Sequence, residues 1–215
     1  MVIHYRNAAA PAEALRDELL AKRPQSATLV QGDLIDPASW PRLIKAAVAF
    51  GGGLDILVNN ASSYYPTPVG QASIGQWDDL FGSNARAPFF LSQAAVPELR
   101  KRRGCIVNLV DIHADRPNAD HPLYCMAKAA NAMMVKALAR DLAPDIRVNG
   151  VAPGAALWPD NYMADAARQE ILERIPMGRP AGAEQIAEAV MFMVTGPDYM
   201  TGQILAVDGG RSVQQ

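Results

Sequence analysis

Short apolar runs alternate along this chain with longer stretches whose apolar positions recur at helical spacing. Brief runs bounded by turn residues suit strands, and they predict strands at Val2–Tyr5, Ala27–Val30, Asp55–Val58, Cys105–Val110, Arg147–Val151 and Gln203–Val207. Pro11 opens a helix toward Lys22, since proline is tolerated in a first turn. A second helix runs from Asp36-Pro37 to about Phe50 and stops at Gly51-Gly52-Gly53. A long helical region covers Gln76 to Arg102, with a break expected near Ala87-Pro88 because the residue before proline avoids helix. Pro122–Leu142 and Ala183–Val194 are the remaining clear helices. Ala155–Arg179 is less regular and rich in Met, Trp and Pro; it suits a lid or specificity segment, or a surface helix-turn-helix. Strands that alternate with helices predict a parallel sheet with helices on both faces, three layers in a single α/β domain over residues 1–215.

On the Pro122–Leu142 helix, Tyr124 and Lys128 stand four apart and project from one face. A phenol titrates near about 10, and a cation beside it draws that value toward neutral pH. A surface tyrosine and lysine on an ordinary amphipathic helix give the same spacing. Asp111 precedes Tyr124 by thirteen residues. A carboxylate there would repel a developing alkoxide, yet it suits a substrate with N–H donors or a ring nitrogen that needs a proton. A solvated aspartate at a strand end is the plainer reading. After the apolar run Ile56–Val58 comes Asn59-Asn60-Ala61-Ser62-Ser63-Tyr64-Tyr65-Pro66-Thr67-Pro68, which also fits a proline-bounded turn with packed aromatics.

Tyr124-Cys-Met-Ala-Lys128, an apolar helix, and then Ile146-Arg147-Val148-Asn149-Gly150-Val151-Ala152-Pro153-Gly154 resemble in that order the short-chain dehydrogenase/reductase superfamily. Its catalytic Tyr and Lys match Tyr124 and Lys128. Most members carry serine where this chain has Asp111, and NNAG where it reads NNAS. These departures, with Phe81-Gly82-Ser83-Asn84-Ala85 and Val110-Asp111, look like the pteridine reductases, over residues 1 to about 210. The resemblance implies a Rossmann-like, doubly wound sheet and reduction of a pterin, such as a dihydropterin or dihydrofolate, by hydride from NADPH. Tyr124 and Asp111 would pass the proton, and Lys128 would orient the nicotinamide ribose and tune Tyr124. Asn84 would support a water link to the lysine, or simply make a hydrogen bond inside its helix. Ser62 would lie near the pterin. Tyr64 would stack on it where the family typically has phenylalanine; the π face survives and the hydroxyl changes the finer contacts. A homotetramer is implied by resemblance alone. Two rivals stand beside this reading: a carbonyl reductase of the same superfamily, acting for example on a 3-oxoacyl thioester, and a remnant that binds no cofactor.

Doubly wound dinucleotide folds begin with a strand, a glycine-rich turn and a helix whose N-terminus holds the pyrophosphate. No such segment precedes Val2, and Gly51-Gly52-Gly53 comes before a strand rather than after one. By resemblance Val2–Tyr5 is the second strand, so about 30 residues of a first strand, turn and helix are expected to be missing ahead of it, the lost strand lying in the sheet between Val2–Tyr5 and Asp55–Val58. An acidic residue often ends the second strand and binds the ribose 2′-hydroxyl of NAD. Here Tyr5-Arg6-Asn7 ends it, and Arg6 can pair with a 2′-phosphate, which favours NADPH. A surface arginine after a strand is the alternative. Asp33-Leu34 resembles the adenine-edge contact, Asn59 and Ala61 would line the adenine ribose, and Pro153-Gly154 would pack near the nicotinamide.

At 215 residues, half of them apolar, the chain can bury one substantial core. A net charge of −2 with interspersed signs leaves no basic footprint for nucleic acid. No apolar run is long enough to span a membrane, and the first residues are too short and polar for a secretory signal. Cys105 and Cys125 read as reduced thiols of a cytoplasmic protein. His113, Asp115, Asp120 and His121 match no zinc spacing.

Overall fold

The computed structural model describes residues 1–156 and 165–214; residues 157–164, within the expected lid segment, lie outside the described residues. The strands are β1 (Val2–Tyr5), β2 (Thr28–Gln31), β3 (Ile56–Asn59), β4 (Cys105–Leu109), β5 (Arg147–Pro153) and β6 (Ile204–Val207). All of their pairings are parallel. The helices are α1 (Ala9–Lys22), α2 (Ser39–Gly51), α3 (Ile74–Phe81), α4 (Ala87–Arg102), α5 (Pro122–Leu142), α6 (Asp165–Glu173) and α7 (Ala183–Thr195). The fold is α/β and Rossmann-like, with helices on both faces of parallel strands.

Successive strand residues point to opposite faces, and the core divides accordingly. Ile106 and Val148 pack with Trp40, Leu91, Leu99 and Leu142 from α2, α4 and α5. Val107, Leu109 and Val151 pack instead with Ala189 and Met193 of α7. Central strand β4 is buried along its whole length, which explains why it reads as a continuous apolar run rather than an alternating one.

The sheet comes in two pieces, β1-β2 and β3-β4-β5-β6, with no pairing between β1 and β3. Leu57 of β3 joins the α2–α4 side of the core, so Ile56 and Val58 face the other way, where they remain 43% and 41% exposed. Helix α1 packs on β1 and β2, while α7 packs on β4, β5 and β6. Neither covers β3. Complete burial of an Ile or Val side chain is worth about 1.5–3 kcal/mol, so this uncovered lane forgoes much of what an interior strand normally gains.

Of the boundaries that depart from expectation, two in the α3–α4 region do so for identifiable reasons. Helix α3 begins at Ile74 rather than Gln76, because Ser73 and Gln76 form a reciprocal capping box. The break expected at Ala87-Pro88 does not occur. A π turn at Gly82–Arg86 widens the helix, and the chain stays helical through Pro88. Proline lacks the N–H that would bond four residues back, and the widened turn accommodates that loss.

Candidate active site

The carboxyl ends of β3, β4 and β5 and the first turns of α5 converge, as sites in open parallel sheets do. Proline at the first position starts α5. One turn separates Tyr124 from Lys128, 5% and 3% exposed respectively. Asp111, just past β4, caps the short 3-10 turn Ile112–Ala114 by accepting the His113 amide at 2.8 Å through Oδ1. That bond fixes the carboxylate and leaves Oδ2 to accept the Tyr124 hydroxyl at 2.7 Å. The Lys128 ammonium donates to the Leu109 carbonyl at 2.9 Å and lies 5.7 Å from the Tyr124 ring centroid.

These contacts reverse part of the expected electrostatics. Burial pushes the Tyr124 phenol well above its usual range, and the charge and hydrogen bond of Asp111 push it further. The lysine does not bring it down. Tyr124 is therefore held as a neutral donor, its proton directed at Asp111. Burial lowers Lys128 from 10.5 to about 8, partly opposed by Asp111. The ammonium needed to support a phenolate is lost as pH rises through that value. We therefore expect kcat/KM to fall with unit slope above about pH 8, and Lys128→Arg to carry any remaining activity to higher pH. Stability should run the opposite way. The folded state binds fewer protons than the unfolded one between about 8 and 10.5, so this group's contribution becomes more favourable as pH rises through that window. A pH–rate profile beside a pH–melting series checks both signs.

Tyr64 meets the edge of Tyr124 with ring centroids 4.8 Å apart and stacks flat against His121 at 4.6 Å. Asn118 donates to the Tyr64 hydroxyl at 3.0 Å. His121 and Asn118 thus belong to this wall, although their sequence neighbourhood carries no helical or metal spacing that singles them out. Ser62 donates to Asn84 Oδ1 at 2.6 Å, and Asn84 Nδ2 donates to the Ser63 and Leu80 carbonyls. Asn84, 1% exposed, is tied to the Ser62 loop. A hydrogen bond inside its helix, the plainer expectation, accounts for the Leu80 and Ser83 contacts but not for those to Ser62 and Ser63.

Asn59 is turned inward, donating to Asn108 at 2.8 Å and Ser92 at 3.2 Å. Its side chain, expected at the adenine ribose, ties β3 to β4 and α4, and Ala61 beyond it is exposed. Gly154 leaves no room for a side chain, since an added Cβ would meet Asp208 at 2.8 Å. The close approach this glycine permits is to Asp208, and Pro153 ends β5 beside it.

A second, open cleft of about 540 Å³ lies at the carboxyl ends of β1 and β2, lined by Arg6, Asn7, Gly32, Asp33 and Arg42. Asp33 Oδ1 accepts the Ile35 amide at 2.9 Å, which sets the turn. Leu34 is packed into the core, and the Tyr5 carbonyl accepts the Gly32 amide. Among the described residues neither Arg6 nor Arg42 makes an ion pair. Sequence alone does not single out Arg42, because a lysine or arginine on an amphipathic helix reads as a solvated charge. The two arginines, the strand ends and the turn could hold the adenosine end of a nicotinamide dinucleotide. No glycine-rich strand-to-helix turn for its pyrophosphate occurs among the described residues.

The Enoyl-(Acyl carrier protein) reductase family model matches residues 1–212. Pteridine reductase 1 of Leishmania tarentolae is 34% identical over 252 aligned residues, covering 98% of this chain and 87% of that protein. The 3-oxoacyl-(acyl-carrier-protein) reductase FabG of Staphylococcus aureus is 32% identical over 214 residues, with the same shares covered. The 2,5-dichloro-2,5-cyclohexadiene-1,4-diol dehydrogenase LinX of Sphingobium indicum is 35% identical over 192 residues, or 87% of this chain and 76% of that one. The chain belongs to the short-chain dehydrogenase/reductase superfamily, as a pteridine reductase-like oxidoreductase. No helix among the described residues is long and apolar enough to cross a membrane.

Proposed function

We propose that this protein reduces a pterin of the dihydropterin or dihydrofolate type with NADPH. The observation that carries the reading is the Tyr124 hydroxyl donating to Asp111 at 2.7 Å. A carboxylate beside the proton donor accepts from ring and amino N–H groups, whereas a ketone offers none. When bound, the nicotinamide supplies the hydride to a ring carbon. Tyr124 delivers its proton to the adjacent ring nitrogen, Asp111 holds the N–H edge, and protonated Lys128 steadies the phenolate left behind. Tyr64 provides the π surface on which a flat ring stacks. The similarity to a 3-oxoacyl reductase over 98% of the chain favours a second reading, a carbonyl reductase, against which Asp111 weighs. Measuring kcat/KM for dihydrobiopterin and for a 3-oxoacyl thioester side by side separates them. Preference for the thioester would overturn the pterin reading.

NADPH over NADH rests on Arg6 and Arg42 at one cleft. Arg6→Ala and Arg42→Ala should each weaken NADPH by roughly 10- to 100-fold, the scale of one lost charge-assisted hydrogen bond, with little effect on NADH. Equal losses for both cofactors would remove the arginines from this role. The open lane beside β3 fits one further parallel strand followed by a helix, which would cover Ile56 and Val58 and supply the pyrophosphate cradle. The same titration tests that completion. The 215-residue chain should bind NADPH weakly, and protein that includes such a unit should bind it tightly; equal affinity would contradict the completion.

A further inference from the structure

Asn84 lies in the π turn Gly82–Arg86, and four residues beyond it stands Pro88. In a regular helix the amide of residue 88 would bond the Asn84 carbonyl, but proline has no such donor. The carbonyl finds its partner elsewhere. It accepts Asn131 Nδ2 at 2.8 Å, from the buried face of α5 three residues beyond Lys128. Asn131 is 1% exposed, and its Oδ1 accepts from Asn108 at 2.9 Å. Asn108 in turn accepts from Asn59 at 2.8 Å. A one-way run of buried amides therefore links the end of β3, through β4 and α5, to the Asn84 turn, whose side chain then holds the Ser62 loop.

We propose that Asn131 is a positioning residue for the reaction. It replaces the hydrogen bond that Pro88 cannot make and sets the Asn84 turn, with Ser62, at the register α5 imposes on Tyr124 and Lys128. The proposal rests on the reductase reading of this site. Asn131 touches neither Tyr124 nor the stacking wall; it acts through Asn84. A buried carbonyl left without its donor would let the π turn relax. Because a helix turns about 100° per residue, even one residue of relaxation would swing Asn84 away from the Ser62 loop.

The test compares Asn131→Leu with the double variant Asn131→Leu/Pro88→Ala. Leucine keeps the branched shape but removes both the donor to Asn84 and the acceptor for Asn108, while alanine in place of Pro88 restores a backbone N–H four residues after Asn84. Asn131→Leu should lower kcat by about 10- to 100-fold, the scale of a misplacement near 1 Å, with KM and NADPH affinity within about threefold. Hydrogen exchange at residues 82–87 should rise while β4 and β5 stay protected. The double variant should regain part of the lost melting temperature but not kcat, because an ordinary α turn satisfies the Asn84 carbonyl and leaves Asn84 rotated, while Asn108 still lacks the acceptor that Asn131 gave it. Joint recovery of both would make the role structural only and overturn the proposal, as would unchanged exchange at residues 82–87 in the single variant. Should the single variant fail to fold, the double variant carries the comparison with the parent. If the parent reduces 3-oxoacyl thioesters and no pterin, the pterin reading has failed, and the same kcat split measured on the thioester still decides the case of Asn131.

Discussion

Replacing Tyr124 by phenylalanine is expected to lower turnover by about 10²–10⁴-fold, the usual contribution of a positioned proton donor, while NADPH affinity changes little. The substitution removes one oxygen from a side chain that is 5% exposed and keeps its ring against Tyr64. Folding is spared, since Leu80, Leu123 and Cys125 still surround an aromatic ring of nearly the same shape. The cost of an unpartnered acceptor falls on Asp111, which retains the His113 amide. Steady-state kinetics beside an NADPH titration make the check. Activity within about threefold of the parent would mean that the proton comes from another group.

Asp111→Ser is expected to lower pterin reduction by roughly 10²-fold or more. Serine is a good cap, so the turn at Ile112–Ala114 should survive and the loss can be assigned to the carboxylate. Removing the charge also shifts both neighbours. It relieves one of the causes that raise Tyr124, and it removes the influence that holds Lys128 up toward 8. The falling limb of the pH profile should therefore move to lower pH. A hydroxyl at this position donates to a carbonyl, so any trace activity on ketones should increase. Unchanged pterin kinetics would reduce Asp111 to a helix cap.

Much of the site is legible in the sequence because its elements are local. Tyr124 and Lys128 share a helical face whatever the tertiary structure, and Pro122 marks where that helix starts. The strand Val2–Tyr5 and the helix Pro122–Leu142 have the bounds their patterns predict. The capping box Ser73–Gln76 is equally local, yet apolar periodicity alone does not reveal it. What escapes is non-local. Asn131 serves a carbonyl 47 positions away, and the need for it arises only because Pro88 lacks an N–H in a turn whose π geometry no periodicity announces. The inward turn of Asn59 depends on Ser92 and Asn108, from two other elements. The reversed electrostatics of Tyr124 cannot be read from spacing either. An i, i+4 lysine predicts a lowered phenol, but burial and the Asp111 contact outweigh it once the helix is packed.

The most direct measurement follows the hydride itself. NADPH carrying deuterium at the transferable nicotinamide position is mixed with the protein and dihydrobiopterin, and the products are read by NMR and mass spectrometry. The expected result is one deuterium on a ring carbon of tetrahydrobiopterin for each NADPH consumed, with the new N–H proton drawn from solvent. Deuterium found instead on the hydroxyl-bearing carbon of a 3-hydroxyacyl thioester supplied in competition, with none in the pterin, would contradict pterin reduction.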